Sequence, residues 1–158
     1  MKGSYALVLQ LSDQGEITVG KLGTFPFAAG YYVYFGSALN NLEGRLQRHL
    51  RPDKKLHWHI DYLSRAARIV EVWWTRNESR QECAWAQLAL CHMDVIAPIR
   101  GFGSSDCRHC PSHLVYLPGL KQAREVLQRL KLESTDLIVK QNSGSFERQS
   151  FLSDNRLV

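Results

Sequence analysis

No run of apolar residues in this 158-residue chain approaches the about 20 that a helix needs to cross a bilayer. The opening, residues 1–10, has an apolar middle. That core is too short for a secretion signal, and no small-residue cleavage site follows it. These two absences predict a cytoplasmic protein without a membrane partner. Cysteine is scarce, with four residues, so they read as reduced thiols or metal ligands rather than a disulfide framework. Internal repeats are missing. Clustered carboxylates are missing too, so any hard cation must rest on very few acidic groups. A surplus of acidic charge is also absent. The net charge is +5 and the pI about 9.2, a balance that permits an anionic partner such as nucleic acid without requiring one.

What is present suits one domain followed by a tail. Residues 5–11 are strongly apolar, as a central strand should be. Residues 12–15 form a turn, and residues 17–22 read as a second strand closing a hairpin on the first. Residues 23–30, with Pro26, read as a loop. Residues 31–35 are β-branched and aromatic and read as a third strand. Asn40 or Asn41 then caps a helix whose stripe is Leu39, Leu42, Leu46 and Leu50. Arg45 and His49 lie one turn apart beside that stripe. A charged break at residues 51–55 precedes a short helix at 57–63. Residues 68–75 alternate as a strand, with Val70, Val72 and Trp74 on one side and Ile69, Glu71 and Trp73 on the other. A helix starting at Asn77 or Ser79 runs to about His92. Residues 95–102 are a short strand or loop, residues 101–106 a loop, and residues 114–117 a last strand. Leu120, Ala123, Leu127 and Leu130 mark a closing amphipathic helix. The predicted fold is α/β (α+β): a small, mainly antiparallel sheet flanked by helices over residues 1–118. An amphipathic helix follows at 119–132, then a polar, mobile tail at 133–158.

Several side chains carry two readings. Glu82 closes Ser79-Arg80-Gln81-Glu82, which fits a helix-capping box; as the acidic group of a metal site it would hold a hard divalent ion. Arg45 is either a solvated helix residue or a forked phosphate ligand. His49 is a polar filler or a general base with a suitable titration range. Gly36 ends a strand or lets a phosphate approach the backbone. Arg45, Arg48, Arg51, Lys54 and Lys55 are a solvated run or a track for a phosphate backbone. Cys107 and Cys110, with His109 and His113, look like half of a zinc site. The spaced candidates for the other half are His57 and His59, and the alternative is a tight turn of reduced thiols.

Taken in order, Gly3-Ser4-Tyr5, Tyr34-Phe35-Gly36, Asn41-Leu42-x-x-Arg45-Leu46, His49 and a later helical Glu82 resemble the signature of the GIY-YIG endonuclease superfamily. Two further segments, His57-Trp58-His59-Ile60-Asp61-Tyr62-Leu63 and Gly101 through Leu114, resemble a small stand-alone branch of it whose role the resemblance does not define. The resemblance implies a DNA endonuclease, dependent on Mg²⁺ or Mn²⁺, that hydrolyses a phosphodiester to a 3′ hydroxyl and a 5′ phosphate. It implies catalytic roles for Tyr5, Tyr34, Arg45, His49 and Glu82, with Glu82 as metal ligand. Gly36, Ser37, Asn41, Arg48 and His59 would contact substrate, with Asp106 near them. DNA is then the partner, helped by a larger DNA-processing protein. The competing expectation is a nucleic-acid-binding module of the same fold with little or no cleavage.

Overall fold

The computed structural model describes residues 1–92, 95–133 and 138–141. In chain order the elements are β1 (Gly3–Leu11), β2 (Gly15–Val19), β3 (Gly23–Phe27), β4 (Gly30–Ala38), α1 (Leu42–Leu50), α2 (His59–Ala66), β5 (Arg68–Arg76), α3 (Glu82–Leu90), β6 (Leu114–Leu117), α4 (Leu120–Glu133) and β7 (Ile138–Gln141). One sheet has the order β6-β4-β1-β5-β7, and every neighbouring pair in it is antiparallel. The architecture is therefore α+β, as the pattern of the sequence predicts.

β1 has neighbours on both edges and helices over both faces, and eight of its nine residues are buried. This is why it reads as an unbroken apolar run rather than a clean alternation. Both edges being taken, residues 17–22 cannot form a hairpin with it. Instead Gly15–Val19 pairs with Gly23–Phe27 in a separate two-stranded sheet, and the expected loop at 23–30 is largely a strand. Pro26 is accommodated because that sheet has only edge strands.

The sheet separates two apolar layers. Tyr5, Leu7, Leu9, Tyr32 and Tyr34 face Leu42 and Leu46 of α1 and Ile60 and Leu63 of α2. Ala6, Val8, Val33 and Phe35 face Trp85 and Ala86 of α3 and Ala123 and Leu127 of α4. In β5 the simple alternation fails. Val8 pairs with Glu71 but Leu9 pairs with Ile69, so Val70 is an extra residue in a bulge. The bulge moves Ile69 onto the α1/α2 face with Val72 and Trp74 and leaves Val70 against the other layer. Glu71 is 1 % exposed yet satisfied, accepting from Trp73 Nε1 at 3.0 Å and from Arg124 Nε at 2.6 Å, which pins α4 to β5.

Two helices begin later than their sequence pattern suggests. Asn41, not Asn40, caps α1, its side chain accepting from the Gly44 amide at 2.9 Å, and Leu39 lies outside the helix, 40 % exposed. α3 begins at Glu82 rather than at Asn77 or Ser79. Its preceding amide, Gln81 N–H, donates to Ser4 Oγ of β1 at 3.1 Å. A residue distant in sequence thus does the work that a local cap would do. Within the stretch read as a polar tail, Ile138–Gln141 forms a strand beside β5. The rest of that reading, residues 134–137 and 142–158, lies outside the described residues.

Candidate functional site

Register brings the two tyrosine segments together. β1 and β4 are antiparallel with Tyr5 opposite Gly36 and Leu7 opposite Tyr34, so Tyr5 and Tyr34 share the α1 face with ring centroids 6.5 Å apart. The β2–β3 hairpin between them in sequence forms its own sheet and does not disturb the pair. A Cβ on Gly36 would come within 2.4 Å of the Tyr5 ring. The glycine is therefore required by a tyrosine lying across it.

α1 supplies the next two groups from one face. His49 is 2 % exposed, and its Nε2 is 2.8 Å from the Tyr5 hydroxyl. Burial pulls its titration down to about 3, against the pull of Asp61, and burial pushes the Tyr5 phenol up to about 12 despite nearby Arg45. Tyr34 is raised further by its own burial and by Tyr5. Near neutral pH the phenol is therefore protonated and the imidazole neutral, and the hydrogen bond between them takes its direction from the His49 tautomer. Buried behind Tyr5, the His49 ring titrates well below the near-neutral range of a free imidazole. Arg45, half-buried, donates to the Ser37 carbonyl at 3.5 Å.

Glu82 arrives from the opposite layer. Standing at the first position of α3, it accepts from Ser37 Oγ, and Ser37 Oγ is 2.8 Å from Ser4 Oγ. Ser37 Oγ donates to the carboxylate, and Ser4 Oγ lies within reach of both Ser37 Oγ and, at 3.4 Å, Asn77 Oδ1, so a run of hydroxyls leads from β1 across β4 to Glu82. The capping-box reading of Glu82 fails, since Gln81 rather than Ser79 precedes the helix and its own side chain makes no cap bond.

These groups border an open cleft of about 660 Å³ lined by Tyr5, Tyr34, Gly36, Ser37, Arg45 and Glu82, and further by Asn41, Arg48, Trp58, Arg80 and Asp106. His49 stands behind Tyr5. Two expected substrate residues have other commitments. Arg48 donates from both terminal nitrogens to Asp61, each at 2.9 Å, so its charge is already paired although it reaches the rim. His59 accepts from the Gly103 amide at 2.9 Å and packs on Phe102; it is not among the cleft residues. Trp58 was not legible as a site residue. Its ring packs against two guanidiniums, with Arg45 Cζ at 4.3 Å and Arg48 Cζ at 4.1 Å from its centroid, so it orients both. Arg80, exposed at the mouth, was also missed, because nothing in the sequence ties that turn to β4.

A second cluster adjoins the first. Sγ of Cys83, Cys107 and Cys110 and a ring nitrogen of His113 all lie within 4.8 Å of one another, a group that can hold a metal ion. Cys83 comes from the residue after Glu82. The expected partners His57 and His59 are not part of it. Residues 4–135 match the family described as Domain of unknown function DUF123. The chain belongs to that family. Its span takes in both clusters and every element from β1 to α4, while its description assigns no activity. The comparison with curated proteins and the comparison with solved structures each gave no match.

Proposed function

We propose that this DUF123 domain is a divalent-metal-dependent DNA endonuclease of the GIY-YIG type. The observation that carries the reading is the convergence of Tyr5, Tyr34, Arg45 and Glu82 on one cleft, with His49 bonded to Tyr5. These residues come from β1, β4, α1 and α3, and only the ordered signature links them in sequence.

The chemistry of the donors fits a hard cation. A carboxylate with a hydroxyl beside it, Glu82 and Ser37, on an open polar cleft is an all-oxygen set of the kind that holds Mg²⁺ while leaving it most of its waters. When bound, such an ion supplies positive charge to the phosphoryl oxygens and the leaving group. The protein's own residues account for the rest. Arg45 presents donors to a non-bridging phosphate oxygen, held over Trp58 so that little freedom is lost on binding. In the tautomer that leaves His49 Nε2 unprotonated, Tyr5 donates to it, so its oxygen lone pairs are left to accept a hydrogen bond from the attacking water and to orient it. Water oxygen bonds to phosphorus as its proton passes to Tyr5 Oη and the phenol's own proton passes to His49 Nε2; the bond to the 3′ oxygen breaks, the 3′ oxygen takes a proton from solvent, and His49 returns its proton through Tyr5 as the product leaves. Tyr34 walls the site beside Tyr5.

One observation favours the second reading, a nucleic-acid-binding module. Burial keeps Tyr5 protonated and His49 neutral, so neither is poised to take a proton until charge enters the cleft. The two readings diverge in one assay. The protein is incubated with branched, nicked and single-stranded DNA in Mg²⁺ or Mn²⁺, alongside Glu82→Gln and Arg45→Ala. Cleavage reduced about 100-fold or more by each substitution supports the nuclease. Binding without cleavage by the unaltered protein supports the module.

A further inference from the structure

We propose that Cys83, Cys107, Cys110 and His113 bind one zinc ion in a closed four-ligand site that fastens the start of α3 to the 101–113 segment. The proposal stands apart from the nuclease reading, since none of its ligands is asked to touch substrate.

Three thiols and an imidazole are soft and borderline donors, which favour zinc over Mg²⁺ or Ca²⁺. Zinc–sulfur bonds of about 2.3 Å in a tetrahedron place neighbouring ligand atoms about 3.8 Å apart. Here Cys83 Sγ is 3.0 Å from Cys107 Sγ and 3.3 Å from His113 Nε2, and the widest separation in the group is within 4.8 Å. The observed distances flank the required one, so small side-chain rotations complete the geometry. Four protein ligands leave no open position, which is the mark of a structural rather than a hydrolytic zinc.

The scaffold around the four residues is prepared. Cys107 N–H closes a turn on the Ser104 carbonyl at 2.9 Å, and the backbone of His113 is fixed from both sides, donating to Phe102 and accepting from Phe35. Gln87, one turn along α3 from Cys83, donates to the His109 carbonyl at 3.2 Å. The ligands come from three places in the fold: the first turn of α3, the turn at 107–110, and the residue just before β6. Apart from the thiols Cys107 and Cys110, which reach the α3 layer, the 101–113 segment offers little apolar packing against α3, its large apolar residue Phe102 lying in the opposite layer with Tyr34 and His59. Because Cys83 follows Glu82 directly, the ion would also anchor the carboxylate on the neighbouring cleft.

The test is elemental analysis of the full chain purified in thiol reductant without added metal. One zinc per chain is expected. Cys110→Ser and His113→Gln should each lower zinc retained after dialysis at least tenfold. His113→Cys, which restores a fourth ligand, should keep it, as should Cys91→Ser, whose thiol is exposed and outside the cluster. Cobalt substituted for zinc should show thiolate-to-cobalt charge-transfer absorption that Cys110→Ser abolishes. A chain that takes up neither zinc nor cobalt overturns the proposal. So does iron in place of zinc, zinc retained in full by Cys110→Ser, or a Cys83–Cys107 disulfide found under the same reductant. Glu82→Gln should leave the zinc in place whatever happens to DNA cleavage, so the two readings fail separately.

Discussion

At the scale of single residues, the site is held by atoms that exclude alternatives. Gly36 has no room for a methyl because the Tyr5 ring covers it. Gly36→Ala should therefore cost about 1–3 kcal/mol by overpacking, read as a lower midpoint in urea, and should weaken the proposed DNA cleavage by displacing Tyr5. His49 makes a statement about acid. Its folded titration point is lowered to about 3 by burial, so the unfolded chain binds this proton more readily than the folded one. Stability is unaffected above the unfolded value and falls as pH drops below about 6.5, by about 1.4 kcal/mol per pH unit for this group alone. His49→Gln should remove one proton's worth of that slope between pH 6 and 5. The comparison must be with the unaltered chain, because burial also lowers His59 and His113. Tyr5, Tyr34, Arg45 and Glu82 were legible from motif order. The tyrosines' dryness was not, since residue type carries no record of what packs over it.

At the scale of elements, α2 begins on one buried carboxylate. Asp61 accepts from the amides of His57 and Trp58 and from both Arg48 nitrogens. Burial opposes its charge, but Arg48 and the two amides outweigh that and hold it below the usual carboxylate range. Asp61→Asn should destabilise the protein by about 3 kcal/mol or more, measured by chemical denaturation, and release Arg48 toward the cleft. The short helix at 57–63 was legible from its pattern. The Arg48–Asp61 pair was not, because the two residues belong to different helices and only packing joins them. The start of α3 shows the same limit. Ser79-Arg80-Gln81-Glu82 has the letters of a local cap, yet Ser4 of β1 takes the Gln81 amide and frees Glu82 for Ser37. The thiol cluster escaped for a related reason: Cys107-x-x-Cys110 was visible as half a site, while its complement was a lone cysteine one residue past Glu82.

At the scale of the molecule, a net charge of +5 and the arginines around the cleft make any DNA binding electrostatic in large part. Its affinity should fall with salt, and Arg45→Ala should reduce the magnitude of the logarithmic slope by about 1, measured by fluorescence anisotropy between low and moderate ionic strength. Arg48→Ala should change that slope less, its charge being matched by Asp61. No helix among the described residues is long and apolar enough to cross a membrane. The overall sheet was legible because its central strands are apolar or alternate. The β2–β3 pairing was not, since nothing local says that both edges of β1 are already occupied.

The full occupation of β1 also governs how the chain can change in length. Side chains leave a strand on alternate sides, so removing Ala6 would swing Tyr5 away from His49 and into the layer of Phe35 and Trp85 if the remaining ladder held. Parity within nine residues thus decides whether the phenol meets the imidazole at all. Insertions and deletions among DUF123 members are accordingly expected in the exposed turn at Ser12, Asp13 and Gln14, where an added residue shifts nothing that faces the cleft.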